Sequence, residues 1–386
     1  MGSHASLGTA VAVWNIASTS WTYTPPTGFS ALSTANLPAP TITDGSAYFQ
    51  TTLYSGNSST QEINQSGNST FQPSWVWIKE RNGTRVHTVY DEVRGVEKYL
   101  QTNESDAEST SSLSLTSFDA DGFTLGSGSW VNNSGNTYVA WQWLAANGTA
   151  SNTNGSITST VSANTTAGFS VVSYTGNGTA GATVGHGLGV APSMLICKNR
   201  DGTEQWIVYQ ADQGATKYGL LNSAAAFASS SGAWNNTEPT SSVVTLGGGG
   251  FGTNVSSNGM IMYAFAEVPG FSRFGSYVSN GSTDGPFIWC GFRPAFLLIK
   301  DTQNAEYWHI YDSTRDTHNV TEKYLYANLT DAEATSSTKV LDFLSNGFKL
   351  RGTDGGINSS SGRTYIFMAF AEHPFGGDGA APVPAR

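Results

Sequence analysis

Hydrophobic residues in this chain fall into short runs that either alternate with polar residues or are apolar throughout. The segments 139–143 and 168–174 are examples, and both are rich in β-branched and aromatic residues. Such runs of four to eight residues are typical of β-strands. Clusters of Gly, Asn, Ser and Thr, as at 176–179 and 279–282, separate the runs and indicate turns. The pattern therefore predicts many short strands and little helix, with one helical turn at 331–334.

One set of landmarks recurs three times along the chain. A Tyr precedes a turn, an apolar run ends in Lys, a Lys-Tyr pair precedes an Asn, a Gly-Phe step follows, and an alternating aromatic segment closes the copy. The opening tyrosines are Tyr54, Tyr174 and Tyr277, the lysines are Lys79, Lys198 and Lys300, and the closing aromatics are Trp143, Phe265 and Phe370. The Tyr-to-Lys interval is 25, 24 and 23 residues, and the Tyr-to-aromatic interval is 89, 91 and 93. This regular spacing indicates diverged copies of one unit.

Each copy has the length of a common single domain, so we expect each to fold by itself. The predicted fold class is all-β, with three tandem antiparallel β-sandwich repeats of lectin or jelly-roll type. The repeats are predicted at 43–146, at 147–271 with a flexible or extended linker at its start, and at 272–376. Residues 1–42 are interpreted as a cloning scar followed by the remnant of a preceding module, which implies a longer natural protein. Residues 377–386 are predicted to form a frayed tail.

Composition narrows the classes of partner. Charged residues make up only 12% of the chain, and the formal net charge is −10. Without clustered Lys and Arg, a nucleic-acid partner is not expected. No apolar stretch reaches the length of a membrane span, so membrane insertion is not expected either. Cys197 and Cys290 lie in strand-like apolar runs, which favours two buried free thiols over a disulfide.

We identify no catalytic constellation, no metal site and no cofactor in the sequence. The spacings of His and Cys that bind zinc are missing. The best acid candidates are Asp312, Asp331 and Glu333, with counterparts in the first copy. Paired carboxylates of this kind could hydrolyse a glycosidic bond. The alternative, which we favour, is that they cap turns and pair with nearby Arg and Lys.

Aromatic residues in polar, turn-rich contexts are the candidates for ligand contact. These are Trp130, Trp234 and Tyr326. Exposed aromatic rings beside amides and carboxylates suit the C–H faces and hydroxyls of sugars. Most other aromatics, such as Trp75, Trp77 and Trp143, are predicted to be core, and burial is the alternative for the three candidates as well. The predicted binding residues are thus these three aromatics together with the three acids named above.

Several stretches carry a family resemblance. The segments 274–295, with Gly281-Ser282-Thr283-Asp284-Gly285-Pro286-Phe287 at its centre, and 365–375 resemble a repeat domain of virion proteins from marine tailed bacteriophages, notably those of cyanobacteria. The segment 21–38 is similar to the end of a concanavalin-like or SPRY-type module. The resemblance implies a virion surface location, on a tail fibre or the capsid exterior, and supplies no catalytic residues.

The function expected from this resemblance is contact between a virion and the host envelope. Low charge and many neutral polar groups suit binding to glycans, and the protein is expected not to be an enzyme. Other virion proteins are expected partners, and fibre proteins are usually symmetric, so a homotrimer is expected. Two alternatives remain open. One is a capsid decoration or fibre-shaft protein without a ligand, and the other is a polysaccharide depolymerase.

Overall fold

A computed structural model of the chain describes residues 41–360 and 362–371. Their fold consists of antiparallel sheets joined by turns, which confirms the predicted all-β class of β-sandwich. Three large sheets each carry a smaller sheet on one face. The only helices are very short: a 3₁₀ turn at Gly45–Ala47 and two α-helices, α1 Ser129–Asn132 and α2 Ser231–Trp234, within the described residues. The helical turn expected at 331–334 is not formed, since strand pairing begins there.

Unit 1 comprises the first nine strands. They are β1 Phe49–Ser55, β2 Gln61–Asn64, β3 Trp75–Glu80, β4 Thr88–Asp91, β5 Lys98–Gln101, β6 Ser109–Thr110, β7 Leu115–Asp119, β8 Gly122–Leu125 and β9 Thr137–Trp143. The large sheet has the order β1-β9-β3-β4-β5-β6, and the small sheet the order β2-β8-β7.

Unit 2 comprises the next ten strands. They are β10 Ala150–Asn152, β11 Ser159–Asn164, β12 Phe169–Thr175, β13 Thr183–Gly185, β14 Met194–Asn199, β15 Ile207–Gln210, β16 Lys217–Leu220, β17 Ala228–Ser229, β18 Val243–Thr245 and β19 Gly259–Phe265. The large sheet has the order β10-β11-β12-β19-β14-β15-β16-β17, and β13 pairs with β18 in the small sheet. The predicted linker therefore contains strand β10 and leads into β11.

Unit 3 comprises the last nine strands. They are β20 Ser272–Val278, β21 Phe287–Trp289, β22 Pro294–Asp301, β23 His309–Asp312, β24 Lys323–Tyr326, β25 Ala334–Thr335, β26 Leu341–Leu344, β27 Gly347–Leu350 and β28 Thr364–Ala371. The large sheet has the order β20-β28-β22-β23-β24-β25, and the small sheet the order β21-β27-β26. From its first long strand onward, each large sheet thus has the same strand order. The exact repeat boundaries remain a prediction.

The central strands are buried on both faces, which explains why their sequences are apolar without alternation. In β3, Val76 and Ile78 face the small sheet of unit 1, while Trp75 and Trp77 face the opposite way. All six residues of β3 are buried, as are all six of β14 and all eight of β22. A sheet covered on both sides needs apolar residues at successive positions.

The second face of each large sheet enters one core shared by the three units. The rings of Phe265 and Phe370 lie 6.0 Å apart, those of Trp143 and Phe370 lie 5.7 Å apart, and those of Trp75 and Phe265 lie 5.9 Å apart. The prediction that the three Trp residues are core is confirmed. The prediction that each copy folds by itself stays a prediction, although the three units share this core. The closing aromatics of different units therefore bury one another.

The Tyr-turn-Asn signature is explained by buried hydrogen bonds. The hydroxyl groups of Tyr54, Tyr174 and Tyr277 donate to backbone carbonyls at 2.7, 2.6 and 2.8 Å. Nearby, the buried side-chain amides of Asn132, Asn254 and Asn358 bridge the opening turn to a later loop. Because an unpaired buried polar group is costly, this network fixes the first turn of each unit against its last loop.

Equivalent contacts link each unit to both others. The backbone N–H of Glu108 donates to the carbonyl of Arg200, that of Phe227 to Thr302, and that of Glu333 to Arg81, at 2.7, 2.9 and 2.7 Å. These bonds connect unit 1 to unit 2, unit 2 to unit 3, and unit 3 to unit 1. The units therefore form a closed ring of three within one chain.

Candidate functional site

Two of the predicted binding acids lie in the contact between units 1 and 3. Asp312 is fully buried, is paired with Arg315, and accepts a hydrogen bond from Trp141 Nε1 at 3.1 Å. Glu333 is half-buried and binds Arg81 through two hydrogen bonds of 2.8 and 3.0 Å. Burial alone would raise the pKa of Glu333, but the hydrogen bonds and charges of its arginine partners outweigh it and lower that pKa.

Equivalent ion pairs join units 1 and 2, but the contact between units 2 and 3 lacks them. Arg94 pairs with Asp91, and Glu108 binds both Arg94 and Arg200. Between units 2 and 3, Phe227 stands in the place of the glutamate. Asp312 and Glu333 therefore pair with Arg315, as favoured from the sequence. The pairing of Glu333 with Arg81 of another unit was not predicted. Asp312 leaves the set of ligand candidates, because a fully buried carboxylate cannot reach a ligand on the surface.

The predicted aromatic candidates are dispersed over the units and do not form one site. Trp234 is 1% exposed and packs edge-on against Tyr209, so it too leaves the set of surface candidates. Trp130 is half-buried against Tyr99, with ring centroids 5.7 Å apart. Tyr326 is half-buried among other rings of unit 3. Asp331 is exposed and lies on the loop that leads to Glu333.

A different set of residues forms an open groove between units 2 and 3. We call it the Trp289 groove; its volume is about 520 Å³. Strand β20 and strand β21 form one side, and Ser193, Asp212 and Glu267 of unit 2 contribute to the other. Trp289 is 55% exposed and Phe287 is 44% exposed, although aromatic side chains of this size are usually covered. The groove thus combines two exposed rings with carboxylates and hydroxyls.

An arginine orders the polar side of the Trp289 groove. The guanidinium carbon of Arg273 lies 4.9 Å from the Trp289 ring centroid, and Nη1 donates to Glu267 at 2.9 Å. The ion pair and the cation–π contact hold the guanidinium beside the exposed ring. Cys290 follows Trp289 in the chain, and burial raises the pKa of its thiol to about 12, so this cysteine is a packing residue.

Comparison of equivalent strands supplies the signal that sequence analysis missed. Strand β21 pairs with β27 as β2 pairs with β8, which places Phe287 and Trp289 where unit 1 has Glu62 and Asn64. The residue between them is a buried Ile in both units. The fold therefore accepts polar residues at the two outer positions, and the aromatic pair is not needed for packing.

Other kinds of site are not found in the described part of the chain. Residues 41–360 and 362–371 contain no group of three or more His, Cys, Asp or Glu placed to hold a metal ion. Both cysteines are free and buried, which confirms that prediction. Within the same ranges, every helix is too short to cross a membrane.

Comparison with known proteins identifies the family. The family described as "Domain of unknown function (DUF7483)" matches residues 44–374, so the chain belongs to it. A search of curated proteins found no match. The matched region spans all three units, including the groove between units 2 and 3.

Proposed function

We propose that this member of the DUF7483 family is a glycan-binding protein of a bacteriophage particle, and that the Trp289 groove is its glycan site. One observation carries the proposal: two exposed aromatic rings occupy positions where the equivalent strand has Glu62 and Asn64. Because packing does not require these rings, their exposure is best explained by contact with a ligand. The location on a phage particle rests only on the sequence resemblance.

The chemistry of the groove matches that of a sugar. An exposed indole can pack against the C–H face of a pyranose, and the neighbouring carboxylates and hydroxyls can accept and donate hydrogen bonds to its hydroxyl groups. Asp212, Glu267 and Ser276 line the same groove as the rings. Since the guanidinium of Arg273 is paired with Glu267, the groove is not simply a site for anions.

The geometry argues against one alternative function, the depolymerase, and leaves the structural role open. The depolymerase hypothesis relied on Asp312, which is buried in its ion pair and so cannot act on a polysaccharide in this structure. A purely structural role in the particle remains a second candidate. The predicted homotrimer stays a prediction, and sedimentation equilibrium measures it; the ring of three units closes within one chain.

Glycan arrays and binding to bacterial envelope fractions test the proposal with a designed pair of variants. Trp289→Asn installs the residue of the equivalent position in unit 1, so it should fold normally and weaken binding by about tenfold or more. Leu113→Ala removes an equally exposed hydrophobic side chain outside the groove and should leave binding unchanged. Absence of binding by the unmodified protein on both arrays and envelopes would refute the proposal, as would full binding by Trp289→Asn.

A further inference from the structure

Every charged side chain that lines the Trp289 groove replaces an uncharged one at the equivalent position of unit 1. The register of the equivalent strand pairs identifies these positions. Asp212, Glu267 and Arg273 correspond to Val93, Ala145 and Gln50, respectively. Since unit 1 has the same strand order without these charges, the fold does not require them. They occur in the groove together with its two exposed rings.

Two of the three charges neutralise each other. Arg273 Nη1 donates to Glu267 at 2.9 Å, and both side chains are partly exposed. The guanidinium group of Arg273 also lies over one face of the Trp289 ring, with its carbon 4.9 Å from the ring centroid. This ion pair therefore adds no net charge to the groove, and its cation is already engaged on two sides.

The carboxylate of Asp212 is the charge that remains. Asp212 is exposed on the turn after β15, and within the described part of the chain its side chain forms no ion pair and accepts no hydrogen bond. The equivalent residue of unit 3 is Thr314, which is also uncharged. Lys349 lies opposite Phe287 on β27, but its ammonium group is paired with Asp284 at 2.7 Å. The groove thus carries one unpaired negative charge.

An unpaired carboxylate in a groove with exposed aromatic rings favours a ligand that carries a positive charge. The carboxylate accepts a charge-assisted hydrogen bond from an ammonium group, and the negative face of an aromatic ring attracts the same cation. An acidic sugar would instead meet the like charge of Asp212, while Arg273 is held by Glu267. A neutral sugar would gain nothing from the charge of Asp212, so the groove distinguishes sugars by their charge.

We propose that the ligand of the Trp289 groove is a glycan with a free amino group, and that Asp212 binds its ammonium group while Trp289 packs against the sugar ring. This inference rests on the proposed glycan-binding function and names the class of sugar, an amino sugar that is not acetylated at nitrogen. Contact with the indole supplies affinity that acetylated and free amino sugars share. The carboxylate of Asp212 supplies the preference for the free amine.

A glucosamine trisaccharide and its N-acetylated counterpart with the same linkages serve as probes, and isothermal titration calorimetry measures their binding to the whole chain. The free amine should bind about tenfold more tightly. This preference should shrink between about 0.05 M and about 0.5 M salt, because salt screens exposed charges. Asp212→Asn should abolish the preference by weakening only the amine, and so should Asp212→Thr, which installs the residue of unit 3. Asp212→Glu keeps the charge and should retain the preference.

Matched controls separate this inference from the glycan proposal itself. Trp289→Asn should weaken both trisaccharides in parallel, and Asp121→Asn, which removes an exposed carboxylate outside the groove, should change neither. The inference is overturned if the acetylated trisaccharide binds equally well, if neither trisaccharide binds, or if the preference survives both Asp212→Asn and Asp212→Thr. In those cases, binding of any other glycan that Trp289→Asn weakens leaves the proposed function standing. If no glycan and no envelope fraction binds, the proposed function fails and the inference fails with it.

Discussion

The buried ion pair between Asp312 and Arg315 permits a test in which the chain supplies its own reference. Both side chains are 0% exposed. At the equivalent position of unit 2 the pair is replaced by Gln210 and Gln213, and the Gln210 side chain accepts from the Gln213 backbone N–H at 3.2 Å. Asp312 makes the same contact with Arg315 at 2.7 Å. The glutamine pair is therefore compatible with this turn.

The single variant Asp312→Gln should be strongly destabilising. It leaves the Arg315 guanidinium buried without its main counter-ion, and removing one partner of a buried pair costs about 3–5 kcal/mol. The double variant Asp312→Gln with Arg315→Gln removes both charges and restores the arrangement of unit 2. Its cost should fall to about 1–2 kcal/mol, so the second substitution should recover stability rather than lose more.

Urea unfolding followed by tryptophan fluorescence measures these differences, because many indoles lie in the shared core. Asp284→Asn is the control, since it breaks an ion pair with Lys349 in which Asp284 is 85% exposed, and it should not shift the midpoint. If the double variant is less stable than the single variant, or if the single variant unfolds like the unmodified chain, the reasoning about the buried charge is refuted.

Three further predictions concern backbone conformation, pH and thiol reactivity. Gly347→Ala should lower the free energy of unfolding in urea by about 2 kcal/mol or more. The reason is that φ of Gly347 is +158° and an added Cβ would lie 2.0 Å from a carbonyl oxygen of β21. Gly250→Ala is the control, since its added Cβ meets no atom within 4 Å, and it should be nearly neutral. Burial lowers the pKa of His309 to about 4, so the stability from keeping this ring neutral is complete above pH 6.5 and lost as pH falls through about 4. The loss of stability should reach about 3 kcal/mol. His309→Ile should reduce the dependence of the free energy of unfolding on pH in this range, and an unchanged pH dependence would contradict the prediction. The two cysteine thiols should not react with Ellman's reagent in the native protein, and rapid reaction without unfolding would disprove their burial.

Much of the candidate site could not be predicted from the sequence. The landmark motifs identified Asp312 and Glu333 because they recur, but recurrence here reflects contacts between units. Residues that differ between equivalent positions are the better guide. Phe287 and Trp289 stand out only when β21 is aligned with β2. That alignment follows from strand pairing and is not evident in the sequence, because the loops before the two strands differ in length.

Periodicity and turn residues along the chain are enough to predict strands, an all-β fold and the tyrosines and lysines that mark each unit. These features are local, since alternation and turn chemistry depend on neighbouring residues. The shared core, the closed ring and the Trp289 groove are not local. They depend on which faces of different units meet, and a ring such as Trp143 has the same local pattern whether it packs within its own unit or against Phe370 of another. Burial of one unit by the next is a property of the assembled chain, so only the folded structure shows that Trp289 is exposed and that Trp234 is buried.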